Sequence, residues 1–417
     1  MRRTPTPAWS SVPASELASV DITSRQFAVD PFGFWERLRA DAPVQPVRWV
    51  RGSTAWAVTR YGDVEAALRD PRMRKNRHDA LTTQQPPATP RVPKALASLE
   101  RGLLSVDGPD HDRLRRLVHQ AFTPRRIEQM RDQAACLSDS LLDIAARHGS
   151  MDLINDYAVP LPLIMIARII GVPEKDVSRF RGWTRALLSI GERPLRSIGS
   201  VLVFMRYLRR LITVRSRDPR DDLVSALVSA RDGGDRLTTD EIVAMLVLLL
   251  TAGHETTVNL IGVGTLALLE NPEHADLLRA RSDDPEAMRT AVEELLRFTS
   301  PVETATERWV DRDVVIADHT VPRGSLVLAV IASANRDPSI FPDPDRLDLT
   351  RWPNPHLAFG KGPHYCLGAS LARLEAQIAI PALLRRAPTL RRPDPTAPAA
   401  WRGGPIVRGL ESLPVIL

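Results

Sequence analysis

The residues with the most chemistry in them sit in one run, Phe359-Gly360-Lys361-Gly362-Pro363-His364-Tyr365-Cys366-Leu367-Gly368. A cysteine closes a Gly/Pro loop and opens an apolar-periodic segment marked by Leu367, Leu371, Leu374 and Ile378. A thiol at a helix N-terminus lies at the positive end of the dipole, which favours the thiolate. Glycines on both sides, Gly360 and Gly368 among them, let backbone pass close to something flat and leave N–H groups free to point at sulfur. One buried thiolate cradled by amides is what a haem iron takes on its proximal side.

A second candidate is Ala252-Gly253-His254-Glu255-Thr256-Thr257, inside a long apolar stretch. Glycine and paired threonines are poor helix formers, and an acid among apolar residues is costly. A threonine hydroxyl can bond back to the i−4 carbonyl and loosen the turn, opening a groove for a small ligand such as dioxygen. Thr256 and Glu255 are then the groups able to deliver protons. His254-Glu255 begins H-E-x-x-H, but Val258 stands at the second histidine position, so a metalloprotease reading fails. Glu294 and Arg297 are spaced i, i+3 and share one helix face. His111 and Arg115 share a face of a strongly basic segment, where solvation alone would account for most arginines.

These groups need elements to place them. Periodicity predicts helices over residues 32–40, 61–69, 110–122, 124–148, 154–171, 221–230 and 284–298. It predicts two more within 179–212, broken around 191–194, and a last one over 366–384 with Pro381 inside. Thr238-Thr239-Asp240-Glu241 reads as the cap of a long helix ending near Leu269. Residues 49–59 alternate as a hairpin, and 310–330 read as short strands and turns. Residues 78–99 are Pro- and Gln-rich and read as a mobile loop, 340–352 as a Pro/Asp meander, and the tail beyond 388 as turns and short strands. Residues 1–30 read as a surface segment and 31–417 as one domain, mainly α with a small β portion.

Composition removes other classes. Cys136 and Cys366 are the cysteines, too few for a disulfide framework, so a reducing cytoplasm fits. Cys136 reads as a small core residue. Met1-Arg2-Arg3 runs into Thr, Pro and Ser with no apolar signal region, and the apolar run 242–252 is shorter than a bilayer span. The expectation is a protein off the membrane. The net charge of +6 is carried almost wholly by arginine, with no basic tail interleaved with aromatics, which argues against nucleic acid.

The cysteine run resembles the haem signature of the cytochrome P450 family, F-G-x-G-x-H-x-C-x-G, at every fixed position. Residues 252–257 look like that family's oxygen-activation motif, (A/G)-G-x-(D/E)-T-T, and Glu294-Leu295-Leu296-Arg297 like its ExxR pair. The resemblance runs from about Phe32 to the C-terminus, with the motifs in order. It implies the single-domain cytochrome P450 fold, with haem b between a long distal helix and the cysteine loop and helix. Cys366 would be the metal ligand, Phe359, Gly360 and Gly368 would surround it, and Ala252 and Gly253 would face the haem from the distal side. Thr256 and Glu255 would be catalytic. His111, Arg115, Arg308 and His364 match positions that bind haem propionates. Glu294 and Arg297 would form a structural lock, with Arg346 as a candidate third member.

The resemblance further implies a monooxygenase that uses O2 to oxidise a C–H bond by hydroxylation or epoxidation. Its electrons would come from NAD(P)H through a separate ferredoxin and ferredoxin reductase. Arg113, Arg116, Lys361 and Arg373 are candidates for the docking face. Pocket walls are expected from Leu187, Leu188, Leu249, Ala252, Val302 and Ala305, which suit an apolar, moderate-sized substrate from secondary metabolism. A cytoplasmic monomer is expected. Oxidative coupling or rearrangement without oxygen insertion stays open, and a haem-binding protein without catalysis is the remaining alternative.

Overall fold

The computed structural model describes residues 9, 12–80, 102–188, 194–232, 234–404 and 406–417. Most of the expected loop 78–99 and the break at 191–193 lie outside the described residues. The helices that matter for the site are α1 (Phe32–Asp41), α2 (Tyr61–Arg69), α3 (Gly108–Ala121), α4 (Val177–Leu188), α5 (Pro194–Arg217), α6 (Thr239–Glu270), α7 (Pro285–Thr299) and α8 (Ala369–Arg386). Strands are short. β1 (Val44–Arg48), β2 (Thr54–Val58), β3 (Met73–Arg74), β5 (Arg308–Val310) and β8 (Leu326–Ala329) form one sheet in the order β1-β2-β8-β5-β3. Only β2 and β8 run parallel in it. β4 (Ser150–Asp152) pairs with β11 (Pro414–Ile416), β6 (Val314–Ile316) with β7 (His319–Val321), and β9 (Ala400–Arg402) with β10 (Gly409–Ser412).

The central helix α6 starts as its sequence dictates. Thr238 and Glu241 form a capping box, each side chain answering the other's backbone N–H. Its first half, Ile242–Leu250, packs with α5 and the helix Pro160–Ile170 in one core cluster. Its second half, Val258–Leu268, packs with α7 and α8 in another. Between the two cores Thr251, Gly253, Glu255 and Thr256 are only half-buried and Ala252 is exposed. The place where α6 leaves the packed interior is therefore its Gly/Thr segment.

Some boundaries differ from the expectation. The segment 124–148 breaks at Gln129 and Met130 into Pro124–Glu128 and Arg131–His148. In the second helix Ala134, Leu137, Ser138, Leu142 and Ala145 make the buried stripe. Cys136 falls outside that stripe and is exposed, not a core residue. The apolar stretch after Asp152 opens with a π turn, Leu153–Ala158, before the α-helix at Pro160. The first hairpin lies further upstream, with residues 49–53 as its turn. The N-terminal stretch does more than line the surface: Leu17, Ile22 and Phe27 are buried with Phe34, Trp35 and Leu38. Two helical stretches, Leu153–Ile170 and Thr239–Glu270, are long and apolar enough to cross a membrane, and both are mostly buried inside the protein.

Candidate haem site

The cysteine loop is shaped by two glycines. Gly360 and Gly362 take φ of +69° and +72°, in the left-handed region that side chains avoid. A Cβ on Gly362 would come within 2.8 Å of the Leu68 carbonyl at the end of α2, so the loop can lie against α2 only with glycine there. Gly360 N–H donates to Leu357 O at 2.7 Å and Cys366 N–H to Phe359 O at 2.9 Å, closing the loop on itself. α8 begins at Ala369, so Cys366 precedes the helix instead of starting it. The Gly368 N–H points at the Cys366 sulfur, and Arg115 and Arg373 lie close enough to favour its anion. Burial nonetheless dominates and raises the thiol's pKa. Cys366 still presents accessible surface. Phe359 lies under Arg373, whose guanidinium carbon is 4.4 Å from the ring centroid.

Behind this loop stands the α7 lock. Glu294 and Arg297 have side chains with no exposed surface. Arg297 Nε and Nη2 donate to the two Glu294 oxygens at 2.7 Å each. Its remaining donors reach the carbonyls of Asn335, Pro344 and Arg346. Glu294 also accepts from Asp348 N and Asn354 Nδ2. The third arginine is Arg351, not Arg346: Arg351 Nε lies 3.2 Å from Glu294, while Arg346 supplies its backbone carbonyl. Both stand in the same meander, and the spacing alone did not separate them. Asn335 carries the lock to the cysteine loop, accepting from Leu357 N at 2.7 Å. Glu293 makes a second tie that sequence reading missed. Desolvation would raise its pKa, but hydrogen bonds from Arg373 and His356 win and bring it down to about 2.

The four expected cationic groups converge. His111 and His364 lie with ring centroids 4.3 Å apart. Burial, then the charges of Lys75, His111, Arg308 and Arg115, push His364 down to about 2, so all four act on it. Arg308 is buried on β5, and desolvation lowers it to about 10. Lys75, just after β3, is a fifth member that sequence reading missed. It is buried, donates to the Thr306 and Glu307 carbonyls at 2.9 Å, and burial pulls its pKa well below the usual lysine value. Asp107 is the one acid that acts on Lys75 and Arg308 alike and lies 4.0 Å from His364. His111 Nε2 and His364 Nδ1 are buried with no hydrogen-bond partner. Such an excess of buried positive charge with unanswered ring nitrogens asks for an anion.

On α6 the hydroxyls of Thr251, Thr256 and Thr257 all bond back to i−4 carbonyls, and the helix runs unbroken through them. The expected opening of the helix is absent; the surface comes from lack of packing instead. A Cβ on Gly253 would meet nothing within 4 Å, and the same holds at Gly368. Glu255 Oε1 pairs with Arg402 Nη2 at 2.8 Å. Behind Thr257 lies Glu375 of α8, fully buried, without a hydrogen-bond partner for either oxygen, and pushed by desolvation to about 8. Thr257 stands beside it but donates to Gly253 O. Its signal in the sequence is an acid inside the apolar stripe of Leu371, Leu374 and Ile378.

The expected wall residues are spread over several elements. Leu187 and Leu249 are buried in the first core cluster, Ala305 in the sheet cluster, and Val302 packs against the latter and bridges to Val407. The Leu188 side chain lies outside the described ones. The cations expected on a docking face are already paired: Arg113 with Glu241, Arg116 with Asp232, Lys361 with Glu65 and Arg373 with Glu293.

A thiol in a glycine loop, a basic cluster short of anions and a bare Gly/Thr face fit one ligand: a flat dianion carrying a metal that takes sulfur. Comparison with known proteins points the same way. The sequence model of the family described as Cytochrome P450 matches residues 204–387. The chain is 44% identical over 399 residues to Cytochrome P450 107B1 of Saccharopolyspora erythraea, covering 93% of this chain and 95% of that one. It is 41% identical to Cytochrome P450 monooxygenase PikC of Streptomyces venezuelae, covering 100% and 97%. The solved structure of the Bacillus subtilis bacillaene polyketide synthase cytochrome P450 PksS superimposes with a TM-score of 0.87 at 40% identity, covering 95% of this chain and 98% of that one. The chain belongs to the cytochrome P450 family and is an enzyme of the P450 monooxygenase type, which works with haem, dioxygen and supplied electrons.

Proposed function

We propose that this enzyme inserts one atom of O2 into a C–H bond of an apolar, moderate-sized natural product, with Cys366 as thiolate ligand of haem b. The observation that carries the haem assignment is the buried basic cluster. His111, Arg115, Arg308 and His364, with Lys75 behind them, supply charge and donors for two propionates. The unpartnered His111 Nε2 and His364 Nδ1 are the ring positions from which an N–H would donate to a propionate there. Haem, once bound, supplies the oxidising chemistry; the thiolate's electron donation favours O–O cleavage. The chain's residues do the rest. The Gly368 N–H would hold the sulfur's charge, with Phe359 packed near it. Ala252 and Gly253 would line the haem's distal side, where the open face at Gly253 would give dioxygen room. Thr256 Oγ1, free to exchange its bond to Ala252 O, offers a proton at the reacting site, and Glu255 with water resupplies it.

The substrate class rests on two supports. Leu187, Leu249, Val302 and Ala305 are apolar, and the relatives PikC and PksS are named for monooxygenase and polyketide work. Electrons would come from NAD(P)H through a ferredoxin and its reductase in the cytoplasm. All four proposed contacts are ion-paired, and Arg116 and Lys361 are the more exposed of them.

The test is the reduced carbon monoxide difference spectrum of the purified protein beside Cys366→Ser. A strongly red-shifted Soret band in the wild type, lost in the variant, is expected. A histidine-type band, or no bound haem, would overturn the assignment. Labelled dioxygen then separates insertion from coupling: label in the product supports insertion, and an oxidised product without label sinks it.

A further inference from the structure

The acid of the proton relay is tied to the C-terminal hairpin. Glu255 Oε1 lies 2.8 Å from Arg402 Nη2, and Glu255's side chain is 23% exposed against 42% for Arg402. This contact does not stand alone. Arg402 is the register partner of Gly409 across β9 and β10. Gly409 packs so tightly on α6 that a Cβ there would fall 2.0 Å from Asn259 Oδ1. Glu255 and Asn259 are spaced i, i+4 and share one face of α6. One residue pair of the hairpin therefore meets one face of the helix at two points, a bare glycine against Asn259 and a guanidinium against Glu255. Asn259 is buried with no hydrogen-bond partner for its amide, so packing, not hydrogen bonding, seats the glycine.

The same hairpin reaches the pocket wall. Val407 bridges to Val302, Ile406 O accepts from Glu303 N at 2.8 Å, and Pro301 O accepts from Arg408 N at 3.2 Å. Arg408 stacks on Trp401, 3.5 Å from its ring centroid. At its other edge Gly403 approaches Arg25 so closely that a Cβ would lie 2.8 Å from the Arg25 Cα. The hairpin is held by α6, by the wall segment and by the N-terminal helix Arg25–Val29.

We propose that Arg402 is a positioning residue for Glu255, holding the acid's carboxylate at the hairpin that also builds the pocket wall. The proton donor and the wall thus share one carrier. Without Arg402 the Glu255 carboxylate is free to sample other rotamers. This inference rests on the proton-relay reading above.

The experiment compares the holoprotein with Arg402→Gln and Arg402→Lys. The direct readout is carboxyl labelling by a water-soluble carbodiimide and glycine ethyl ester, followed at Glu255 by peptide mass spectrometry. Arg402→Gln should raise the labelling rate of Glu255 roughly threefold, the scale of losing a half-exposed ion pair. Arg402→Lys should return most of the protection. The second readout uses no substrate: with NADPH and a plant-type ferredoxin and reductase as electron source, the share of consumed dioxygen leaving as hydrogen peroxide should rise in Arg402→Gln and fall back in Arg402→Lys. The thermal midpoint and the carbon monoxide spectrum should stay at wild type. Unchanged Glu255 labelling in Arg402→Gln overturns the proposal. So does a rise at Glu255 matched by a rise at Glu411 on β10 with a lower midpoint, because Arg402 would then be fastening the hairpin alone. Labelling is read on the wild type whatever its spectrum, so failure of the haem reading shows in the carbon monoxide band and failure of this one in the labelling.

Discussion

The two sides of the site are built on opposite principles. On the cysteine side, the lock's charges are buried and every donor of Arg297 is spent. Arg297 and Glu294 have no exposed side-chain surface, and between them they hold α7, the meander and the Asn335 bridge to the cysteine loop. On the α6 side, the polar groups are half-buried and bonded locally. Thr256 and Thr257 return their hydroxyls to their own helix, and Glu255 has one partner, Arg402. A buried network fixes geometry because breaking it strands a charge in a low dielectric. A local hydroxyl bond can be exchanged at little cost. The difference separates position from reaction: the cysteine side must not move, and the helix side must pass protons.

The sharpest way to break this comparison is to remove one member of the lock. Arg297→Ala takes from buried Glu294 its bidentate partner and leaves it Arg351 alone as a charged partner, at a cost of about 3–5 kcal/mol. We expect little folded holoprotein, measured as yield and as the midpoint of chemical unfolding. A stable, haem-loaded Arg297→Ala would show that the lock does not hold the loop.

Glu293→Gln probes the second tie with a pH signature. The folded pKa of Glu293, about 2, lies below its ordinary value of 4.5. A depressed carboxylate contributes stability above its unfolded pKa and loses it as pH falls through the folded one. The wild type should therefore exceed Glu293→Gln by about 2–3 kcal/mol at neutral pH. The gap should close between about pH 4.5 and pH 2, the two pKa values concerned. A constant gap across that window would assign the effect to packing against Arg373 and not to charge.

Gly362→Ala tests the loop's fit against α2. The substitution forces a Cβ to 2.8 Å from the Leu68 carbonyl at a φ of +72°, costing about 1–3 kcal/mol. Haem transfer to apomyoglobin should quicken while the α6 side keeps its behaviour. A variant that holds haem as tightly as wild type would make the glycine a matter of chain flexibility alone.

What could be read from the sequence divides along the same line. Local signals were enough where local physics decides. Thr238 and Glu241 announced the start of α6 and Pro285 that of α7, and Glu294 and Arg297 pair on one helix face as their spacing put them, whereas Cys366 precedes its helix instead of starting it. Long-range partners were not legible. Arg351 displaced Arg346 in the lock because the meander's path, not its composition, decides which guanidinium turns inward. Lys75 and Glu293 carry no motif; they become significant only when β3 meets β5 and α7 meets α8. Cys136 was placed in the core, but it falls on the face of its helix away from the buried stripe of Ala134, Ser138, Leu142 and Ala145 and so lies on the surface.

The smallest effect on stability is expected at Thr256, and it bears most directly on the comparison. Its hydroxyl is half-buried and bonds only to Ala252 O within the same helix. Removing it leaves a carbonyl that already serves the helix ladder, and alanine is the better helix former. Thr256→Ala should thus unfold within about 0.5 kcal/mol of wild type and keep its thiolate spectrum. The reaction should change where the fold does not. Without a hydroxyl to offer a proton beside Gly253, more of the consumed dioxygen should leave as hydrogen peroxide, read by peroxide assay against electron-donor consumption. Coupling unchanged in Thr256→Ala would move the proton route elsewhere, with Glu375 as the next buried acid to remove. A large loss of stability would instead show that the two sides of the site are less distinct than their geometry indicates.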